Sequence, residues 1–279
     1  MRMKLNSILL LTGKSKEGRK EDLFLAGYLK QYFNVTVTTI DKVESLADKA
    51  DLVLVRNIWP TSMHLKEDRK ILSNLIKRKR KLYNPGLGEE DLIGKEYLAY
   101  LFKKGFPVIP SIDEKIDLDL LPKQKYFFIK PKHGGSRRGC RKINFSQINS
   151  INLNKYILQP FIDFKYEISF YFIDNKLQYA LYAPNKKKRW YLKPLKLTSK
   201  DKKFAQQFVK WNNLPYGLQR IDAVRLKNGK LLLMEIEDWC PYLSLLDIHK
   251  SLQKKLIRSL VISLKNTCRL KHHSDTVSL

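Results

Sequence analysis

Gly217-Leu-Gln-Arg220-Ile-Asp222-Ala-Val-Arg-Leu-Lys-Asn228-Gly229-Lys-Leu-Leu-Leu-Met-Glu235-Ile-Glu237 is the stretch on which the reading of this chain turns. Asn228-Gly229 tolerates positive φ at both positions, the requirement of a two-residue type I′ hairpin turn. With that pair as the loop, Lys227 faces Lys230, Asp222 faces Glu235 and Arg220 faces Glu237. Side chains alternate along a strand, so Arg220, Asp222, Glu235 and Glu237 project from one face. Three carboxylates this close should repel and raise one another's pKa. On strands otherwise lined by Val224, Leu231 and Leu233, such a face calls for cations, and hard divalent ions with oxygen ligands, Mg²⁺ above all, answer that call. The alternative is a solvent-edge hairpin whose polar face is acidic, with Arg220 neutralising one charge. The chain has 27 acidic residues against 54 basic ones, and a cluster of acids stands out in it.

A second constellation lies upstream: Phe127-Phe-Ile-Lys130-Pro131-Lys-His133-Gly134-Gly135-Ser136-Arg-Arg-Gly139. A strand delivers a lysine and a glycine-rich turn follows. Glycine lets backbone N–H groups approach phosphate oxygens, and lysine adds a point charge. A Walker A loop is absent, and a basic Gly-Gly turn with no ligand is the plainer reading. His133 beside it is either a phosphate contact or a solvated loop residue.

Ahead of these segments the pattern alternates. Ile8–Leu11 is an apolar run, Glu21–Phe33 has mixed helical spacing, Val35–Ile40 alternates Val with Thr, and Leu52–Val55 is continuously apolar. This order predicts a parallel sheet layered with helices. The stripe Ile71, Leu72, Leu75, Ile76 marks a helix that ends in Lys77-Arg-Lys-Arg-Lys81, which is either a solvated helix end or a binding patch. Tyr83-Asn-Pro-Gly-Leu-Gly88 is a turn-rich break. A helix over 95–104 ends at Gly105, strands follow over 126–130, 166–173 and 176–183 with Asp174-Asn175 as a hairpin signal, Ser199 caps a helix through Trp211, and 247–264 forms a terminal amphipathic helix.

Composition bounds the rest. Hydrophobic residues make up 43% of the 279, enough for a folded core, and the net charge is +27. That excess admits a nucleic-acid or other polyanionic partner, although lysines scattered beside Ile and Asn also follow from an AT-rich coding sequence. No apolar run approaches the roughly 18–20 residues that span a bilayer. The apolar run after Arg2 and Lys4 is too short for a signal peptide. Three cysteines, none in a CxxC pair, exclude a disulfide framework or zinc site and favour the cytoplasm.

Taken together, Lys130-Pro131 with its glycine loop, Gln159-Pro-Phe161-Ile162 followed by Glu167, and Arg220-Ile-Asp222 followed by Met-Glu235-Ile-Glu237 resemble the ATP-grasp superfamily. Their order is similar to that of D-alanine–D-alanine ligase and glutathione synthetase, and more so to the small cycloserine-forming ligases. Asp51-Leu-Val-Leu-Val-Arg56-Asn-Ile-Trp59, Tyr83-Asn84-Pro85 and Gly94-Lys95-Glu-Tyr-Leu98 extend the resemblance over residues 7 to 250. It implies an α/β (α+β) fold with a Rossmann-like pre-ATP-grasp domain over 1–88, a small lid subdomain with the glycine loop over 89–160, and a C-terminal subdomain with the metal site over 161–279.

The resemblance further implies an ATP-dependent carboxylate–amine ligase working through an acyl-phosphate. Lys95 and Lys130 would contact the phosphates, Gly134, Gly135, Ser136 and Gly139 would close over them, Gln159 through Ile162, with Phe161, would read the adenine edge, and Glu167 would hold the ribose. Asp222, Glu235 and Glu237 would hold Mg²⁺, with Mn²⁺ as an alternative. Arg220 and Lys130 would be catalytic, and Arg189 would bind substrate or phosphate. The acid and amine would be small molecules or peptides, with ligation onto a peptide, protein tail or other anionic carrier as an alternative, and relatives of this fold are often homodimers. A second reading, drawn from the +27 charge, is a basic protein that keeps this fold without catalysis and binds nucleic acid. Tyr166 stands where many relatives have Gly, Glu237 where many have Asn, and Asp238-Trp-Cys240-Pro replaces the usual residues. Cys240 is read as a structural thiol because no activating His lies near it.

Overall fold

A computed structural model of the chain describes residues 5–13, 15–58, 65–84, 94–133 and 138–270. Its elements in chain order are β1 (Ser7–Leu11), α1 (Lys16–Leu29), β2 (Asn34–Thr38), α2 (Val43–Ala47), β3 (Leu52–Val55), α3 (Leu65–Lys77), β4 (Leu82–Tyr83), α4 (Glu96–Lys103), β5 (Tyr126–Pro131), β6 (Arg141–Asn144), β7 (Tyr156–Pro160), β8 (Phe164–Ile173), β9 (Lys176–Ala183), β10 (Lys193–Pro194), α5 (Ser199–Asn212), β11 (Leu218–Leu226), β12 (Leu231–Glu237) and α6 (Lys250–Arg269). The class is mixed α/β, with one parallel sheet in the order β2-β1-β3-β4 and antiparallel sheets in the orders β6-β5-β7 and β10-β9-β8-β11-β12.

Two compact units share these elements. One comprises Met1–Pro85, Pro215–Leu218 and Trp239–Leu279; the other comprises Gly86–Leu214 and Gln219–Asp238. Each is assembled from non-consecutive stretches, whereas the sequence reading runs in three consecutive segments.

In the first unit, burial follows strand position. Central β1 and β3 are buried along almost their whole length, which their unbroken Ile, Leu and Val runs require, while outer β2 alternates in burial as its Asn-Val-Thr-Val-Thr sequence does. Ser15 caps α1 by accepting the Gly18 amide at 3.1 Å, so the helix begins earlier than its apolar spacing suggests. α6 belongs here because Ser263 meets the Tyr83 hydroxyl at 2.6 Å and Lys81 Nζ donates to the Cys268 carbonyl at 2.6 Å, at the negative end of the helix. The basic run 77–81 is therefore in part structural: Arg78 and Arg80 both pair with Asp48.

The same unit contains a buried ionic cluster. Arg56, with no exposed surface, donates to Glu21 at 2.8 Å, to Asp22 at 3.2 Å and to the Pro241 carbonyl at 2.7 Å. Glu21 also accepts the amides of Leu243 and Leu245, so these ions fasten the segment after Trp239 to α1. Cys240 donates its thiol to the Ile58 carbonyl at 3.4 Å.

In the second unit, α4 and α5 cover one face of the five-stranded sheet, where Leu98, Leu101, Phe204 and Phe208 meet Phe170, Phe172, Ile221, Leu233 and Ile236. Thr198, one residue before the expected Ser199, caps α5 through a reciprocal box with Asp201, and Asp201 also pairs with Arg225 of β11 at 2.7 Å. Asp174 and Asn175 take φ of 46° and 64°, the type I′ turn their sequence favours. Among the described residues no helix is long and apolar enough to cross a membrane.

Burial outweighs Arg56 and raises the pKa of both Glu21 and Asp22, so what these groups contribute to stability is greatest below the ordinary carboxylate range and is lost as pH rises through their folded values. Arg56→Leu leaves two buried carboxylates without their cation and is expected to cost about 3–5 kcal/mol at pH 7. Chemical denaturation should show the gap to wild type narrowing at pH 5, where protonation removes the uncompensated charge.

Candidate functional site

The β11–β12 hairpin closes differently from the expected two-residue turn. Leu226, not Lys227, pairs with Lys230, so the loop is Lys227-Asn228-Gly229, and of its last two residues only Gly229 has positive φ, at 83°. This is the three-residue loop with glycine in the left-handed position. The one-residue offset is then undone: the partners run Ala223–Leu233, Val224–Leu232 and Arg225–Leu231, but Asp222–Glu235, Ile221–Ile236 and Arg220–Glu237. Met234 is the extra residue of a β-bulge. Asp222 thus lies opposite Glu235 and Arg220 opposite Glu237, as the sequence indicates, while Leu231 and Leu233 face the core and not the acids. Without the bulge, Glu235 would share a face with Leu233, which is fully buried.

Each of the three acids has a basic partner. Arg220 Nη2 sits 2.8 Å from Asp222 and 2.5 Å from Glu237, and Lys95 Nζ sits 3.0 Å from Glu235. Burial works against ionisation of Glu235, but Lys95 and Lys130 outweigh it and hold the carboxyl below its ordinary pKa. That corrects the expected upward shift: the cations the face needs come from the chain. Arg220 is half-buried, which works against its charge, but Asp222 and Glu237 keep it firmly charged. Among the described residues no three His, Cys, Asp or Glu side chains converge closely enough to hold a metal ion. Two of the carboxylates do converge on one positive charge, Arg220 Nη2, and all three are hard oxygen donors, so the donor set fits a divalent cation in kind.

The lysines reach this face from separate elements. Lys95 immediately precedes α4, and its amide donates to the Lys132 carbonyl at 2.9 Å, tying the start of the helix to the end of β5. Lys130, on the central strand of the three-stranded sheet, is 8% exposed and directs Nζ to the Met234 carbonyl at 3.4 Å. Burial lowers its pKa, with nearby Glu235 acting in the opposite direction and Lys95 adding to the fall. Glu167, half-buried on β8, lies within the same electrostatic field.

The remaining expected residues are more dispersed. Gln159 is buried on β7 and donates to Ser111 Oγ at 2.8 Å. Phe161 and Ile162 follow in the short connection to β8, where the Phe161 amide donates to the Tyr126 carbonyl at 3.1 Å and its exposed ring carries Lys142 at 4.3 Å. Gly139 takes φ of 76°, and a Cβ there would stand 2.8 Å from Pro131 Cγ, so glycine is required on both counts. Arg189 lies between β9 and β10 with its guanidinium over Trp190. Gly134, Gly135 and Ser136 lie outside the described residues. His133 packs its ring against Gly94, where a Cβ would come within 2.7 Å of it. Sequence reasoning missed Tyr97, whose hydroxyl accepts the Ile236 amide at 2.8 Å, and Met234; neither carries a signal of its own in a single sequence.

Comparison with known proteins adds the frame. No family model matches the chain, and no curated protein matches it. Solved structures do: D-cycloserine synthetase DcsG superposes with a TM-score of 0.72 at 17% identity, over 92% of this chain and 99% of that one. The chain has the ATP-grasp fold. The D-alanine–D-alanine ligase of Bacillus anthracis, solved with ATP, gives a TM-score of 0.63 at 16% identity over 94% of this chain and 98% of that one. The ATP-grasp ligase PsnB, solved with its precursor peptide PsnA2 and AMPPNP, gives 0.62 at 13% identity over 96% and 99%. At these identities the ATP-grasp likeness concerns the fold, and the roles of individual residues rest on the geometry above.

Because Lys95 is the cation that touches Glu235, Lys95→Met should raise the titration midpoint of that carboxyl, followed by carbon NMR in chelated buffer. In wild type, a depressed folded pKa means that the contribution of Glu235 to stability is present above the ordinary glutamate value and is lost as pH falls through the folded one. An unchanged midpoint in the variant would show that the Lys95 contact does not govern this site.

Proposed function

We propose that the protein is an ATP-dependent ligase that joins a carboxylate to an amine. The observation that carries the reading is one sheet face on which buried Lys130 and Lys95 flank Glu235 while Arg220 joins Asp222 to Glu237, within an ATP-grasp fold. Two lysines held against a carboxylate form a charge-balanced cradle, and an arriving polyphosphate would give each a new partner. Lys130 in particular is kept buried, where a phosphate oxygen would favour its charged form over the neutral one.

In this assignment Lys95 and Lys130 would hold the phosphates, the glycine turn named in the sequence (Gly134, Gly135, Ser136 and Gly139) would close over them, and Gln159 to Ile162 and Glu167 would receive adenine and ribose. Asp222, Glu235 and Glu237 would hold magnesium, which when bound supplies charge neutralisation to the phosphate oxygens. A carboxylate oxygen of the acid attacks the γ-phosphorus and ADP leaves, giving an acyl-phosphate. The amine nitrogen then attacks the acyl carbon, loses a proton and expels phosphate. Arg220, fixed in charge and orientation by two carboxylates, is suited to stabilise the negative oxygen that develops at that carbon. Arg189 would bind the acid or its phosphate.

The amine and acid remain at the level of class. D-alanine–D-alanine ligase and D-cycloserine synthetase are among the neighbours named for small molecules, and PsnB was solved with a peptide, so small acids and peptide carboxylates are the two classes to offer. ATP use suits a cytoplasmic setting.

The test is ADP release with panels of acid–amine pairs, small and peptidic. Mg²⁺-dependent turnover is expected in wild type, with losses of roughly 100-fold or more in Glu235→Ala and Lys130→Met. Full turnover in Glu235→Ala would remove this face from the reaction.

A further inference from the structure

β12 is the outer strand of the five-stranded sheet, so one row of its backbone groups has no neighbouring strand to pair with. A bulge at Met234 loosens it further, at the point where it must present two carboxylates. Substitutes come from other elements along that row. The Pro107 carbonyl accepts the Leu233 amide at 2.8 Å, the Ile109 amide donates to the Leu233 carbonyl at 3.0 Å, and Lys130 Nζ donates to the Met234 carbonyl at 3.4 Å. Past the bulge the partner is a side chain: Tyr97 Oη accepts the Ile236 amide at 2.8 Å, between Glu235 and Glu237.

Tyr97 is built for this task. It is 5% exposed, its ring stacks on Trp211 at 5.7 Å and 28°, and it lies two residues after Lys95. The start of one helix therefore sets a lysine on the Glu235 carboxylate and a hydroxyl on the next amide. A phenylalanine would fill the same apolar space, so what tyrosine adds is an acceptor for an amide that would otherwise be buried without one.

Resting on the ligase reading above, we propose that Tyr97 is a positioning residue that fixes the post-bulge segment of β12 and so sets the separation of the Glu235 and Glu237 carboxylates for magnesium and nucleotide. Its effect acts through the Ile236 backbone amide.

The test compares wild type, Tyr97→Phe and Tyr100→Phe, the last a control on the exposed side of the same helix. ATP affinity is measured by calorimetry across a Mg²⁺ series and in EDTA, and amide exchange is read at Ile236. In Tyr97→Phe the Mg²⁺ concentration that gives half of the metal-dependent gain in affinity should rise roughly 10- to 100-fold, affinity in EDTA should stay at the wild-type value, and the Ile236 amide should exchange faster. Tyr100→Phe should match wild type throughout. A Mg²⁺ dependence identical to wild type, or an equal loss with and without Mg²⁺, overturns the assignment. If wild type binds no ATP with Mg²⁺ present, the ligase reading itself falls and this role with it, whereas wild-type binding with an indifferent Tyr97→Phe removes only the role of Tyr97. Should Tyr97→Phe not fold, exchange in wild type decides: an Ile236 amide as fast as an open edge amide overturns the proposal, and a protected one supports it.

Discussion

Strict alternation of side chains along a β-strand is the constraint on which this structure depends. β12 must bury Leu231, Leu233 and Ile236 against α4 and α5 while turning Glu235 and Glu237 to the other side. No unbroken strand can do both, because Leu233 and Glu235 share a parity. Inserting Met234 as a bulge changes that parity once, between the apolar and the acidic halves. The cost is a local gap in strand pairing on an edge, and the surrounding elements fill it with backbone from 107–109, with Lys130 and with Tyr97.

Charge balance follows from the same geometry. A sheet face with three carboxylates and little solvent would be unstable alone, since desolvation disfavours each ionised group. Arg220 arrives from the neighbouring strand two positions from Asp222, Lys95 from the start of α4, and Lys130 from the centre of another sheet. The result is a set of ions that are individually mobile in role but collectively neutralised.

The first unit uses ions differently. Arg56, Glu21 and Asp22 have no exposed surface, and their bonds extend to backbone groups of 241, 243 and 245. Their geometry is that of a fastener. The basic run 77–81 is similarly engaged, by Asp48 and by the end of α6, so part of the +27 charge that looks available in the sequence is spent on holding secondary structure together.

The sequence by itself determined the periodic elements: buried runs of Ile, Leu and Val mark β1 and β3, and Asp174-Asn175 marks a hairpin. These are local, since each depends on residues adjacent in the chain or joined by one short turn. Tertiary structure alone decided the rest. The expected turn at Asn228-Gly229 was one residue short, and the bulge that restored the register exists because Leu233 has a core to enter. At Glu235 the expected rise in pKa became a fall because Lys95 and Lys130 lie far away in sequence and close in space. Tyr97 was invisible for the same reason: a buried aromatic on a helix looks like core until the strand edge it serves is present. The physical cause is common to all three cases, because desolvation, charge pairing and edge satisfaction are properties of neighbours, and a single chain does not list its neighbours.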